Sequence, residues 1–305
     1  MILSKANNTT RHAAIDIGTN TALMVIADAI DGHIVSEVAD EHAIPRLGEG
    51  VYVDGYIQPQ ALSRTIASLQ HFLCIIKGAS ITTAAAVATA ALRRAINQEE
   101  VKQALAEALT PLIPLHVIDG KTEGELTYEG VVGNRPNQGV LDIGGGSTEF
   151  VWQTADGHLE RYSLDIGAVQ LTDAWKAGVV PRGTVNITTP TDFTQGTCWQ
   201  AVAGTPVALA LLDLGLSSFE ERLVTGYVLN QKRVEYWSQH LLSGTLPTSL
   251  AKAIPAARLD ILPAGTVILQ ACMQQMNMPQ VTVNTRGLRH GVVQRLALGS
   301  AHFTS

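Results

Sequence analysis

Two aspartates, Asp16 and Asp142, each close an apolar run just before a turn of small and hydroxyl residues. The stretches are Ala14-Ile15-Asp16-Ile17-Gly18-Thr19-Asn20-Thr21 and Val140-Leu141-Asp142-Ile143-Gly144-Gly145-Gly146-Ser147-Thr148. These residue types suit phosphate chemistry. Glycines let successive backbone N–H groups close around an anion, and Ser and Thr add hydroxyl donors. An aspartate beside such a nest can hold a hard cation that neutralises the phosphate. Another apolar run follows each turn, at 22–27 and 150–152, so the pattern is strand, turn, strand. A Walker loop or a dinucleotide fingerprint would instead run from strand into helix. One copy alone reads equally well as an ordinary hairpin. Two copies predict two related units gripping a phosphorylated ligand between them.

Glu123, in Asp119-Gly120-Lys121-Thr122-Glu123-Gly124-Glu125, falls in the first turn of a predicted helix where the two halves meet. It is either a favourable charge at a helix N-terminus or a carboxylate that orients and deprotonates a water. The helix dipole is expected to lower its pKa and keep it ionised near neutral pH. Arg93 and Arg94 follow a predicted strand and suit multidentate phosphate contacts, or else form a solvated basic turn. Arg46-Leu47-Gly48-Glu49-Gly50, Ala203-Gly204-Thr205-Pro206 and Arg286-Gly287-Leu288-Arg289-His290-Gly291 are further small-residue turns, two of them basic. His290 alone reads as structural.

These groups need elements to hold them. Strands are predicted at 13–18, 22–28 and 33–39, and an amphipathic helix at 60–76, where Leu62, Ile66, Leu69, Leu73 and Ile76 recur at helical spacing after Pro59. A buried strand at 81–87, a helix at 98–109 capped by Asn97 and closed by Pro111, and a strand at 115–118 complete the first half. The second half predicts strands at 138–143, 149–153 and 159–164, a helix at 168–176 and a Pro/Thr/Gly-rich loop over 181–196. Helices at 206–214, 219–241 and 263–276, a strand at 281–283 and a helix after Gly287 follow.

Bulk composition sets the class. The 305 residues are 46% hydrophobic and 16% charged, with a net charge of −6, as in a globular protein with room for two cores. A net negative chain has no general attraction for nucleic acid or an acidic membrane. Cys74, Cys198 and Cys272 are scattered, which argues for a reducing compartment and against a disulfide framework or zinc site. The first twelve residues lack a secretory apolar core, and no apolar run nears the roughly 20 residues of a spanning helix. The expectation is a cytoplasmic protein.

In chain order the motifs resemble the exopolyphosphatase and guanosine-pentaphosphate phosphohydrolase (Ppx/GppA) family. That family belongs to the actin, sugar-kinase and heat-shock-chaperone ATPase superfamily. The matching stretches are DIGTNT at 16–21, RLGEGV at 46–51, TAALRRAIN at 89–97, DGKTEGELTYEGV at 119–131, DIGGGSTEF at 142–150, LDIGAVQLTD at 164–173, AGTP at 203–206, PAARLDILPAGTVIL at 255–269 and RGLRHGV at 286–292. The resemblance implies an α/β fold of two ribonuclease-H-like domains with a cleft between them. Residues 1–122 would form the first domain and 123–290 the second, with a helix at about 291–305 packing back on the first. It implies hydrolysis of the terminal phosphate of inorganic polyphosphate, or of guanosine pentaphosphate, with Mg²⁺ or another divalent cation. By the same resemblance Glu123 is the general base, and Asp142 and Glu149 handle metal and water, with Asp16 assisting from the opposite hairpin. Asn20, Thr21, Arg93, Ser147 and Thr148 match phosphate-contacting positions, joined by Gly18, Thr19, Gly145, Gly146, Gly204 and Thr205 of the small-residue turns. A homodimer fits the family, although no sequence feature marks an interface.

The chain also departs from the family pattern. Thr122 and Gly124 stand where Glu and Ala are usual, Gln170 replaces an arginine, Pro206 replaces a hydroxyl-rich position, and 179–199 is short. The C-terminal helical domains of longer members are not in this sequence. A sugar-kinase type of enzyme would expect an aspartate base in the second half. A non-catalytic sensor of ppGpp or polyphosphate would not need Glu123, Asp142 and Glu149.

Overall fold

The N-terminal apolar run folds as the predicted hairpin: β1 (Thr10–Ile17) pairs antiparallel with β2 (Ala22–Ile30), which pairs with β3 (His33–Ala43). The computed structural model describes residues 9–109, 113–133, 135–191, 193, 196–300 and 303; the readings of residues 1–8 and of Pro111 lie outside them. After α1 (Val51–Asp54) and α2 (Pro59–Lys77) the chain adds β4 (Thr83–Ala88) parallel to β1. Then α3 (Ala90–Arg94) and α4 (Gln98–Leu109) lead to β5 (Leu115–Val117), parallel to β4. The sheet order is β3-β2-β1-β4-β5. Its central strands are apolar on both sides because both faces are covered. Ala13, Ile15 and Ile17 of β1 join the core under α2 and α4, whereas Ala14 points to the opposite face.

Following α5 (Gly120–Val132), the second half repeats the plan. A hairpin of β6 (Gln138–Ile143) and β7 (Thr148–Gln153) is extended by β8 (Leu159–Leu164), followed by α6 (Ala168–Lys176) and by β9 (Cys198–Val202) parallel to β6. After α7 (Gly204–Leu214), the helix expected over 219–241 is interrupted. A short α8 (Glu221–Val224) ends before Gly226 at φ 83°, and β10 (Val228–Asn230) precedes α9 (Gln231–Ser243). Apolar spacing hid that break, since the three-residue strand exists only by pairing with β11 (Gln280–Val283). Two short turns, α10 (Thr248–Ala251) and α11 (Ala256–Leu259), precede the buried α12 (Leu262–Gln275), and α13 (Leu288–Ala297) follows β11. The second sheet, β10-β11-β9-β6-β7-β8, therefore reads inward from β8 in the same order as the first sheet reads from β3. The fold class is α/β with two mixed sheets, each in the strand order of a ribonuclease-H-like unit.

The two halves are stitched by α5 and α13. Leu288, Val292, Val293 and Leu296 of α13 pack on Ala14, Val25, Ala27, Ala85 and Val87 of the first sheet and on Leu126 of α5. The α5 and α13 backbones touch at Gly130 and Gly291; a Cβ on Gly291 would overlap the Leu126 carbonyl. Only glycine permits so close an approach. On its other side α5 lies against β6 and β7. The helix bearing Glu123 is thus wedged at the junction.

Candidate phosphate site

Both hairpin turns have the same construction. Ile17 pairs with Ala22 and Ile143 with Thr148, leaving four-residue loops at 18–21 and 144–147. Gly18 N donates to Thr21 O at 2.9 Å, and Gly144 N donates to Ser147 O at 3.0 Å. The turn carbonyls are occupied from outside. In the first turn Arg46 N donates to Asn20 O and Gly48 N to Thr19 O, which is what the Arg46–Gly50 turn is for. In the second, Ala168 N donates to Gly144 O, and Val169 N and Gln170 N to Gly145 O, so the first amides of α6 are spent here. Among the described residues no intramolecular hydrogen bond uses the amides of Thr19, Asn20, Gly145 or Gly146. Unpaired N–H groups held in a turn are an anion nest. A Cβ on Gly145 would lie 2.8 Å from Thr19 Cβ, so the two nests abut.

A cavity of about 500 Å³ opens over them. Gly18, Thr19, Asn20, Thr21, Gly145, Gly146, Ser147 and Gly204 line it, together with Asp16, Asp142 and Glu123. Asn20 is only 4% exposed, and neither its Nδ2 nor its Oδ1 has a hydrogen-bond partner. Leaving such groups unpaired costs about 1–3 kcal/mol each unless a ligand satisfies them.

Four expected site residues do not line this cavity. The Thr148 hydroxyl donates to Ile166 O at 2.8 Å and its side chain is fully buried, so it braces the hairpin and is not free for phosphate. Thr205 packs against Gly265 of α12. Arg93 Nη1 donates to Glu123 Oε2 and to Ile118 O, both at 2.7 Å, so here it holds a carboxylate where a phosphate contact was expected. Glu149 sits behind Asp142, its cross-strand partner, and accepts from Ser163 Oγ at 3.2 Å.

The acids here repel one another. Burial, then the charges of Glu123 and Asp142, pushes Asp16 up to about 8 despite Arg289 nearby. Burial and Glu123 push Asp142 up to about 7. Burial raises Glu149 well above the carboxylate range, with Glu123 and Asp142 adding to it. Glu123 overturns its own expectation. Asp119 caps α5 by accepting from Thr122 N at 2.7 Å, as a helix N-terminus requires. Yet the Glu123 pKa is raised, because burial outweighs the Arg93 ion pair. A surface helix dipole contributes a fraction of a kcal/mol, and desolvation contributes more.

The cluster fits a divalent cation on its own chemistry. Asp16 Oδ1 is buried with no partner, and hard carboxylate oxygens that repel each other are the donor set magnesium takes. Among the described residues, the one group of three or more whose ligand atoms all lie within 4.8 Å of one another is a different one, Glu37, Asp40 and His290. Its carboxylates are already paired with Arg286 and Arg289, both at 2.7 Å. Gly287 N donates to His290 Nδ1, which leaves the proton on Nε2 facing Glu37. That group ties α13 to β3, and its ring has no lone pair left for a metal. His290 is structural, as read from the sequence.

Sequence reasoning missed the outer cavity. Arg258 of α11 reaches His42 Nε2 of β3 at 3.1 Å, and its guanidinium lies against Gly204. Burial lowers Arg258 to about 10 and His42 to about 4. Beyond them the wall turns apolar, with Val207, Leu211, Phe219, Ile254 and Pro255. Arg258 lies in the family-like stretch PAARLDILPAGTVIL at 255–269, to which the resemblance assigns no site residue, and no local signal marks His42.

The profile of the Ppx/GppA phosphatase family matches residues 25–299. Exopolyphosphatase 2 of Mycobacterium tuberculosis is 28% identical over 318 residues, covering 94% of this chain and 99% of that protein. The crystal structure of the Aquifex aeolicus member of the Ppx/GppA family is 25% identical with a TM-score of 0.70, covering 97% of this chain and all of that one. An exopolyphosphatase structure from Cytophaga hutchinsonii, at 22% identity and a TM-score of 0.76, shares the fold.

Proposed function

Because this chain belongs to the Ppx/GppA phosphatase family, we propose that it is an exopolyphosphatase, releasing orthophosphate from the end of inorganic polyphosphate. The observation that carries the reading is the pair of abutting nests, whose amides are unspent, beside buried acids that repel one another. In this reading residues 1–122 and 123–290 are the two domains, and the terminal phosphate lies between their turns. The amides of Thr19, Asn20, Gly145 and Gly146 hold its oxygens, with Ser147 adding a hydroxyl.

Asp16 and Asp142 would hold a divalent cation, with Glu149 behind them; when bound, it neutralises and polarises the phosphoryl oxygens. Glu123 accepts a proton from a water in line with the bridging bond. Its raised pKa makes it a stronger base than an exposed glutamate, and the Arg93 ion pair opposes that rise. Positioning and charge neutralisation carry most phosphoryl-transfer catalysis, so fixed backbone donors suit the task.

A second reading has its own support. The apolar mouth formed by Val207, Leu211 and Phe219 offers a face for a purine ring, which polyphosphate lacks. Guanosine pentaphosphate would place its 5′ chain in the nests and its base at the mouth. One assay decides: phosphate release from polyphosphate, guanosine pentaphosphate, and ATP with sugars at equal concentration. Polyphosphate ahead of the nucleotide is the expected order. Sugar-dependent ATP consumption, or binding with no release from any substrate, contradicts the reading.

A further inference from the structure

One carboxylate of the second half takes a cation from each half of the molecule. Asp260, between α11 and α12, accepts from Arg46 Nη2 at 2.8 Å and from Lys176 Nζ at 3.1 Å. Arg46 belongs to the turn that fixes the first nest: its own N–H holds Asn20 O, and that of Gly48 holds Thr19 O. Lys176 ends α6, whose first amides fix Gly144 O and Gly145 O of the second nest. The braces of both nests thus converge on one side chain. Arg46 stands at φ 58°, where glycine is the usual residue, so the turn keeps a side chain where its backbone favours none. Burial raises the Asp260 pKa, but Lys176 and Arg46 outweigh it and hold the carboxyl below its ordinary value. Arg46 has another acid in reach within its own half, since Glu49 Oε1 lies 3.5 Å from the same Nη2. If the halves part, Arg46 keeps Glu49 and Asp260 keeps Lys176, so separation strands no charge. Two such arrangements are what a reversible closure needs.

We propose that Asp260 is a positioning residue that clamps the two nests together across the cleft, through Arg46 on one side and Lys176 on the other. The proposal rests on the hydrolase reading and adds to it the residue that sets the spacing of the two phosphate-holding turns. Asp260, Arg46 and Lys176 do not line the cavity. They act through the backbone of the Arg46–Gly50 turn and of α6. Asp260 and Arg46 are partly exposed, with side chains 31% and 19% accessible. The clamp therefore biases the closed arrangement without locking it, by up to about fivefold in the equilibrium constant.

The spacing of the halves is read without substrate, from the distance between spin labels on Cys74 of α2 and Cys198 of β9. Both thiols are exposed, one in each half, and Cys272 is buried. Wild-type protein should give one narrow distance distribution. Asp260→Asn should broaden it and shift it, and Asp260→Glu, whose carboxylate still reaches both cations, should restore it. Arg46→Gln removes the other end of the clamp and gives the same reading if the asparagine variant does not fold. In phosphate release from polyphosphate, both neutral variants should raise the Michaelis constant about fivefold with kcat nearly unchanged, because substrate must first gather the closed state. A side chain that only stabilised the fold would lower the melting temperature and leave distances and Michaelis constant alone. Folded Asp260→Asn and Arg46→Gln proteins with the wild-type distance distribution overturn the clamp. So does a Michaelis constant that stays at the wild-type value in both. If wild-type protein releases no phosphate, the hydrolase reading falls, and the distances alone decide the clamp.

Discussion

Replacing Asp16 with asparagine should make the metal-free protein less sensitive to alkaline pH. Asp16 titrates at about 8 in the fold against 3.8 in an open chain. Between those values the folded protein binds a proton that the unfolded chain has released. The unfolded state thus binds fewer protons, and stability falls as pH rises from about 4 to about 8. Over pH 5 to 8 that is about three tenfold steps of roughly 1.4 kcal/mol, or on the order of 4 kcal/mol from this one side chain. The Asp16→Asn variant has no charge to bury at this position, so its stability curve should be flatter by that order. The assay is urea unfolding of both proteins in EDTA at half-unit pH steps. Added Mg²⁺ should restore wild-type stability most at high pH, because binding requires the deprotonated carboxylates. The asparagine variant should gain much less. Parallel stability curves for the two proteins in EDTA would refute the reasoning that Asp16 is buried among repelling acids.

Three other perturbations follow from the same geometry. Gly146→Val places a side chain onto the Tyr52 hydroxyl and should abolish substrate binding, which isothermal titration with polyphosphate would detect. Arg93→Ala removes the group that lowers the Glu123 pKa, so the acid limb of the pH–rate profile should move to higher pH. An unmoved limb would mean that Glu123 does not set it. Thr148→Val loses the bond to Ile166 O and should cost about 1–2 kcal/mol in Tm-derived stability, with the Michaelis constant near wild type.

Much of this is legible in the chain. Strand–turn–strand around Asp16 and Asp142 is a local pattern, and both hairpins form, each closing on a four-residue loop. The expected 60–76 and 168–176 helices appear as Pro59–Lys77 and Ala168–Lys176. The departures are set by tertiary contact. Asn97 has the residue type and position of a helix cap, but its side chain pairs with the backbone of Ile57. Spacing shows that Thr148 carries a hydroxyl and cannot show that the hydroxyl faces Ile166. The pKa of Glu123 turns on its burial at the junction of α5 with both halves, which no helix-terminus argument contains. His42 reaches the cavity from a segment with no motif of its own, and the stretch at 255–269 gives no sign that its Arg258 faces His42.

The central claim is that Glu123 acts as the base, and Glu123→Gln tests it most directly. Glutamine can still accept a hydrogen bond from Arg93 Nη1, so the local geometry and fold should be retained. Single-turnover phosphate release should fall by about 10²–10⁴-fold, with polyphosphate affinity and melting temperature near wild type. A well-folded Glu123→Gln protein that releases phosphate at the wild-type rate would contradict the account.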